Sequence, residues 1–152
     1  MRTENHNVEI YVGGALVYTT RELAAAFETG PIRSAEDAVQ HLGSFRSMPQ
    51  EVFAVISLSG ANKPIKTRWI TVGLLDSNQV HPREVFADPL MDRAAAIIVA
   101  HNHPSGTLEP SPEDLALTSR LQKAGELLGI RVLDHVIVSS GGYVSLKQLG
   151  SM

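Results

Sequence analysis

The chain has no cysteine. That excludes a disulfide framework and any thiolate metal cage, so a bound metal would have to rest on imidazole and carboxylate. Positive charge is in short supply too. Thirteen Lys and Arg stand against sixteen Asp and Glu, for a formal net charge of −3. A nucleic-acid binder usually carries a basic surplus or a dense basic stripe. The nearest approach is "KPIKTR", Lys63 to Arg68, which fits a solvated strand edge as well as a nucleic-acid contact. No apolar stretch approaches the roughly 18 residues of a membrane-spanning helix. The opening "MRTENHNVEIYVGGALVY" lacks the basic-then-apolar order of a secretory signal. Repeats, low-complexity tracts and long linkers are absent as well. These absences predict a cytoplasmic protein with no membrane association.

What is present suits one globular domain. A chain of 152 residues, 43% hydrophobic and 19% charged, can bury a core without staples. The first third has the weakest pattern. Residues 8–18 fit a strand pair around Gly13 and Gly14, and 21–27 a short helix. Ser34 followed by Glu36 and Asp37 reads as an N-cap with acidic first-turn residues, predicting a helix over 34–43 stopped at Gly43.

From Pro49 the pattern sharpens. "EVFAVISLS" puts Phe53 and Val55 on one face and Val52, Ala54, Ile56 and Leu58 on the other, all apolar, as in a central strand covered on both sides. "IKTRWITVGLL", 65–75, alternates more clearly and is expected to pair with it through a turn at Gly60 to Pro64, with Trp69 packed on the sheet. "HPREVFADPLMDRAA" starts with Pro82 at an N1 position and contains Pro89. An interior proline costs about 3 kcal/mol, so two short helical pieces are expected there.

"AAAIIVAH", 94–101, is the next central strand. The helix over 112–128 carries Leu117, Leu121, Ala124 and Leu128 as one apolar stripe and ends at Gly129. "RVLDHVIVSS", 131–140, and "YVSL", 143–146, form a hairpin around Gly141 and Gly142. The fold class is α/β (α+β): a mixed β-sheet flanked by helices. Residues 1–33 are expected to be an N-terminal extension packing on a domain formed by 34–152.

The chemistry concentrates in "HNHPSGTLEPSPED", residues 101–114. Positions i and i+2 of a strand share a face, so His101 and His103 can aim at one point. Pro104, Gly106 and Pro110 turn the chain back to Ser111 and Asp114, which share one side of a first helical turn. Zinc takes nitrogen and oxygen ligands, and catalytic sites use three protein ligands plus water. Asp114 is the natural third ligand. Each piece alone has a plainer reading. Ser111 with Asp114 and Pro112 is an ordinary N-cap, and His-x-His occurs by chance. It is their conjunction at a strand end and a helix head that favours a metal.

The same segment resembles the His-x-His-Pro…Ser-x-x-Asp signature of the JAMM (MPN+) zinc metallopeptidases. More narrowly, "HPREVF", "HNHPSGTLEPSPEDLALTSRL" and "DHVIVSSGGYVSL" resemble the bacterial RadC-like branch, over about residues 34–147. The resemblance implies a JAMM/MPN-like, cytidine-deaminase-like architecture, with 34–152 as a RadC catalytic domain. It implies Zn2+ held by His101, His103 and Asp114, with Ser111 bonding the bound water or the developing oxyanion. It also implies a glutamate acid/base at the start of a core strand. Glu51, 50 positions before His101, has that place. Glu84 is the rival, expected instead on a helix as a solvated or arginine-paired residue.

Asp134 and His135 are open to two readings, as partners orienting a ligand imidazole or as a structural hydrogen-bonded pair. Asn102 is expected on the opposite face in a structural role, and His81 in a loop rather than as a fourth ligand. The activity implied is hydrolysis of peptide or isopeptide bonds in a peptide or protein substrate, by a monomer or homo-oligomer. The alternatives are a metal-dependent DNA-processing protein or nuclease, and a non-catalytic zinc-stabilised interaction module. RadC-type proteins commonly carry an N-terminal helix-hairpin-helix region associated with DNA. This chain is expected to be too short for it, and the net charge also disfavours a nucleic-acid partner.

Overall fold

The computed structural model describes residues 8–12, 15–20, 30–73 and 80–152. The expected turn at Gly13 and Gly14, the helix at 21–27 and the last residues of the 65–75 strand, Leu74 and Leu75, lie outside the described residues. Near the N-terminus, β1 (Val8–Val12) and β2 (Ala15–Thr20) form an antiparallel pair.

The centre of the molecule is a five-stranded mixed sheet in the order β4-β3-β5-β6-β7. Its strands are β3 (Val52–Leu58), β4 (Pro64–Val72), β5 (Ala96–Asn102), β6 (Arg131–Ser139) and β7 (Gly142–Ser145). Only β5 and β6 run parallel among these neighbours; β3 pairs antiparallel with both β4 and β5, and β6 with β7. The parallel step follows from the helix between those two strands, since a crossover is needed to return the chain in the same direction.

Every residue of β3 and of β5 is buried, as their largely apolar runs require, with Ser57, His101 and Asn102 as the buried polar members. The two faces feed two cores. Val52, Ala54, Ile56 and Leu58 join Ala96, Ile98 and Ala100 under α1 (Ala35–Gln40) and a short 3-10 helix, Gly43–Ser47. Trp69 lies in this core edge-on to Phe45, ring centroids 6.1 Å apart. On the other face Phe53, Val55, Ile97 and Val99 pack against α2 (Pro82–Met91) and α3 (Pro112–Leu128).

Local signals explain the helix ends. Ser34 caps α1 through a reciprocal capping box with Asp37. The α-helix stops at Gln40, and Gly43 (φ 57°) opens the 3-10 turn instead of ending the segment. The helix α2 is one continuous piece, not two. Pro89 stands in its last turns with its ring buried, and the chain closes past it with Asp92 N–H donating to Asp88 O at 2.8 Å. Only the hydrogen bond that residue 89 would have donated is forfeited, and burial of the ring offsets it.

The stripe of α3 also departs from expectation at its end. Leu117, Thr118, Leu121 and Gly125 are buried, whereas Leu128 is exposed. The chain returns past Gly125 so closely that a Cβ there would stand 2.4 Å from Ile130 O, which shifts the packed face onto the glycine. Gly129 (φ 71°) then ends the helix in the left-handed conformation that a side chain disfavours.

Candidate metal centre

The central strand β5 delivers the first side chain. His101 is nearly fully buried, and its partner across the sheet, Phe53, stacks on its ring at 6.3 Å. His103 lies just beyond the strand end, but its N–H still donates to Val138 O of β6 at 2.8 Å, which holds the extended backbone. The two rings therefore share a face, and their Nε2 atoms are 2.9 Å apart.

Asp114 comes from the head of α3. Its Oδ1 is 3.2 Å from His101 Nε2 and its Oδ2 3.6 Å from His103 Nε2. The cap reading holds at the same time: Asp114 N–H donates to Ser111 Oγ at 3.1 Å, and Ser111 N–H donates to Asp114 Oδ2 at 2.8 Å. The carboxylate thus closes its own helix and faces the imidazoles. Burial works to raise its pKa, but His101 and the Ser111 N–H more than offset this and hold the carboxyl well below the usual carboxylate range. It stays anionic at neutral pH.

His101, His103 and Asp114 each offer a ligand atom, and these atoms all lie within 4.8 Å of one another. The donor set is nitrogen, nitrogen and oxygen, which suits a borderline-soft divalent cation. The side-chain exposures of 4%, 12% and 15% put His101 at the floor and His103 and Asp114 toward solvent, so a ligand would enter from their side.

A further tier lies behind the histidines. His103 Nδ1 is 3.0 Å from Thr107 O, a pure acceptor, so Nδ1 carries a proton. Behind His101 stand His135, with Nε2 2.8 Å from His101 Nδ1, and then Thr118, with Oγ1 2.6 Å from His135 Nδ1. Of the adjacent pair in β6, His135 turns toward the cluster. Asp134 turns away and is structural, accepting from Ser145 Oγ at 2.6 Å and from Lys147 N–H at 3.2 Å. Thr118 went unnoticed in the sequence. The available signal was a lone hydroxyl residue on the buried stripe of α3, one turn after Asp114.

Glu51 stands at the head of β3, half-buried, with its carbonyl accepting from Gly73 N–H at 2.8 Å. Strand alternation gives position 51 the face of Phe53, whose ring covers His101. Glu84 is exposed in the first turn of α2, 3.4 Å from the Arg83 guanidinium, and His81 caps that helix by accepting from Arg83 N–H at 3.1 Å. Asn102 does face the other way. Its Oδ1 accepts from Val52 N–H at 2.6 Å, and its Nδ2 donates to Met48 O at 3.2 Å and Gln50 O at 3.0 Å. Within "KPIKTR", Arg68 is buried against Asp92, with Nη2 2.7 Å from Asp92 Oδ1, so that stretch is not a uniform basic stripe.

Comparison with known proteins adds the following. Residues 32–151 match the model of a RadC-like JAB domain. A UPF0758 protein of Methanospirillum hungatei is 57% identical over 101 residues, 66% of this chain and 45% of the relative. One from Shouchella clausii is 42% identical over 142 residues, 85% of this chain and 62% of the relative. A third, from Bacillus cereus, is 40% identical over 154 residues, 93% of this chain and 68% of the relative. The chain thus spans about half to two thirds of the length of these relatives. Among the described residues no helix is long and apolar enough to cross a membrane.

Proposed function

The chain belongs to the RadC-like JAB domain family, a family of metal-dependent hydrolase type, and from that premise we propose that it is a zinc-dependent hydrolase of peptide or isopeptide bonds. The observation that carries this reading is the convergence of two imidazole nitrogens and one anionic carboxylate from β5 and α3. That donor set fits zinc without a change of protonation at Asp114, whose carboxyl is already ionised at neutral pH.

His101, His103 and Asp114 would hold the ion. When bound, zinc supplies Lewis acidity and brings the pKa of a coordinated water near 7. Glu51 takes the proton from the attacking water and returns it to the leaving nitrogen, which needs one carboxyl group on the open side of the cluster. The Ser111 hydroxyl accepts from Asp114 N–H and keeps its own hydrogen to donate. Directed at the oxyanion of the tetrahedral intermediate, such a donor contributes roughly 2.7–4 kcal/mol in other hydrolases.

The test is elemental analysis beside turnover. Wild-type protein is expected to carry about one zinc per chain, and Asp114→Ala none. Glu51→Gln is expected to keep zinc and lose cleavage of a peptide library. No metal uptake by the wild type at micromolar zinc would overturn the reading. Cleavage surviving in Glu51→Gln would remove the glutamate from it. Steeply salt-dependent DNA binding would point to a nucleic-acid substrate instead.

A further inference from the structure

Behind the proposed zinc site, three buried groups form a chain whose hydrogens can be counted one by one. Thr118 Oγ1 is 2.7 Å from Asp114 O and 2.6 Å from His135 Nδ1. The hydroxyl has one hydrogen, and a carbonyl oxygen at 2.7 Å can only accept it. The hydrogen in the second contact must therefore come from His135, which makes Nδ1 an N–H donor. His135 is fully buried, where a second ring proton would strand a charge in the core. Its Nε2 is then a bare acceptor, 2.8 Å from His101 Nδ1. A hydrogen is needed there as well, and it must be carried by His101.

We propose that Thr118 and His135 are positioning residues that lock a proton of His101 onto Nδ1 and so reserve Nε2 as the nitrogen that faces the metal. The purpose in reserving that nitrogen rests on the zinc reading above; the proton on Nδ1 does not. The relay begins and ends on the same ligand set. Thr118 is anchored on the carbonyl of Asp114 itself, so the carboxylate ligand and the imidazole ligand are registered to each other through the core. The second histidine ligand also carries a proton on Nδ1, donated to Thr107 O from the solvent side.

Thr118→Val nearly preserves shape and removes the hydroxyl. Nδ1–H of His135 then has no acceptor, so the ring is expected to switch to the Nε2–H form and donate to His101 Nδ1. That leaves the proton of His101 on Nε2, where the metal should bind. Two readouts follow. Nitrogen-15 NMR of the imidazole rings in metal-free protein reads the His135 tautomer, which is expected to be Nδ1–H in the wild type and in Thr118→Ser, and Nε2–H in Thr118→Val. Zinc affinity, measured by chelator competition, is expected to fall 10–100-fold in Thr118→Val and to recover in Thr118→Ser. A merely structural threonine would lower the melting temperature without moving the tautomer. Nε2–H in wild-type His135, or a tautomer and zinc affinity unchanged in Thr118→Val, would overturn the proposal. A wild type that holds Nδ1–H but takes up no zinc would support the proton placement and overturn the zinc reading alone.

Discussion

Asn102 sits between the two candidate ligand histidines and serves the other side of the sheet. Its amide uses its oxygen on Val52 N–H and its nitrogen on Met48 O and Gln50 O, bracketing Glu51 with three hydrogen bonds to main chain. Asn102 and Val52 are fully buried, so truncation would leave Val52 N–H without a partner in a dry environment, while the carbonyls of half-buried Met48 and exposed Gln50 stay within reach of water. Asn102→Ala is expected to lose about 1–3 kcal/mol, the cost of one buried group left unsatisfied, read as a lowered urea midpoint at unchanged slope. A loss under about 1 kcal/mol, the scale of an ordinary hydrogen bond, would mean that water replaces the amide. At this scale the sequence was legible where chemistry is local. His101, His103 and Asp114 lie within one stretch of fourteen residues: i, i+2 geometry aligns the two rings, and the turn through Pro104 and Pro110 returns the chain to Asp114. Thr118 and the bonding of Asn102 were not legible, because their partners stand 17 and about 50 residues away and are met only when the sheet is assembled.

Elements are joined at points where a single atom decides the fit. Gly125 of α3 is one. Alanine favours a helix interior by about 1 kcal/mol over glycine, yet here a Cβ would meet Ile130 O at 2.4 Å and the Phe86 ring at 3.3 Å. Gly125→Ala is therefore expected to destabilise by about 1–3 kcal/mol, the cost of overpacking, and a raised melting temperature would show that the β6 approach can give way. The junction of β4 with α2 is electrostatic. Arg68 reaches from the strand to Asp92 at the helix end, and both are largely buried. Burial tends to raise the Asp92 pKa, but the guanidinium more than offsets it, and the net shift is downward from 3.8. A carboxyl with a folded-state pKa below its unfolded one contributes stability that is present above the unfolded value and lost as pH falls through the folded one. The stability difference between wild type and Asp92→Asn is thus expected to shrink as pH is lowered from about 5 to about 3, measured by denaturant unfolding at each pH. A difference flat across that window would mean Asp92 is not ionically engaged. Periodicity located these elements well, because a stripe or an alternation survives in one dimension. It misjudged the end of the α3 stripe and the continuity of α2 because both were decided by the neighbours of Gly125 and by the burial of the Pro89 ring.

For the molecule as a whole, the sheet is a wall between two cores, and the candidate metal cluster stands at the end of its middle strand. The apolar runs of β3 and β5 announced central strands, and the alternation of strands and helices announced a mixed sheet flanked by helices. The order in which strands lie side by side was not announced, since pairing depends on long-range contacts that leave no local trace. That order has a thermodynamic consequence. β5 is flanked by β3 on one side and β6 on the other, so an ion held by His101, His103 and Asp114 would tie the middle of the sheet to α3 and could not be retained by an unfolded chain. Ligand binding to the folded state alone stabilises it by about 2.7 kcal/mol at one hundred times the dissociation constant. For a chain of 152 residues, at about 2–4 °C per kcal/mol, zinc at that excess is expected to raise the melting temperature by about 5–11 °C. EDTA should reverse the rise, and the rise should be absent in Asp114→Ala. An equal shift in that variant would place the stabilising zinc elsewhere on the protein. No shift in the wild type would mean that the two imidazoles and the carboxylate, though brought together by the fold, hold no ion under those conditions.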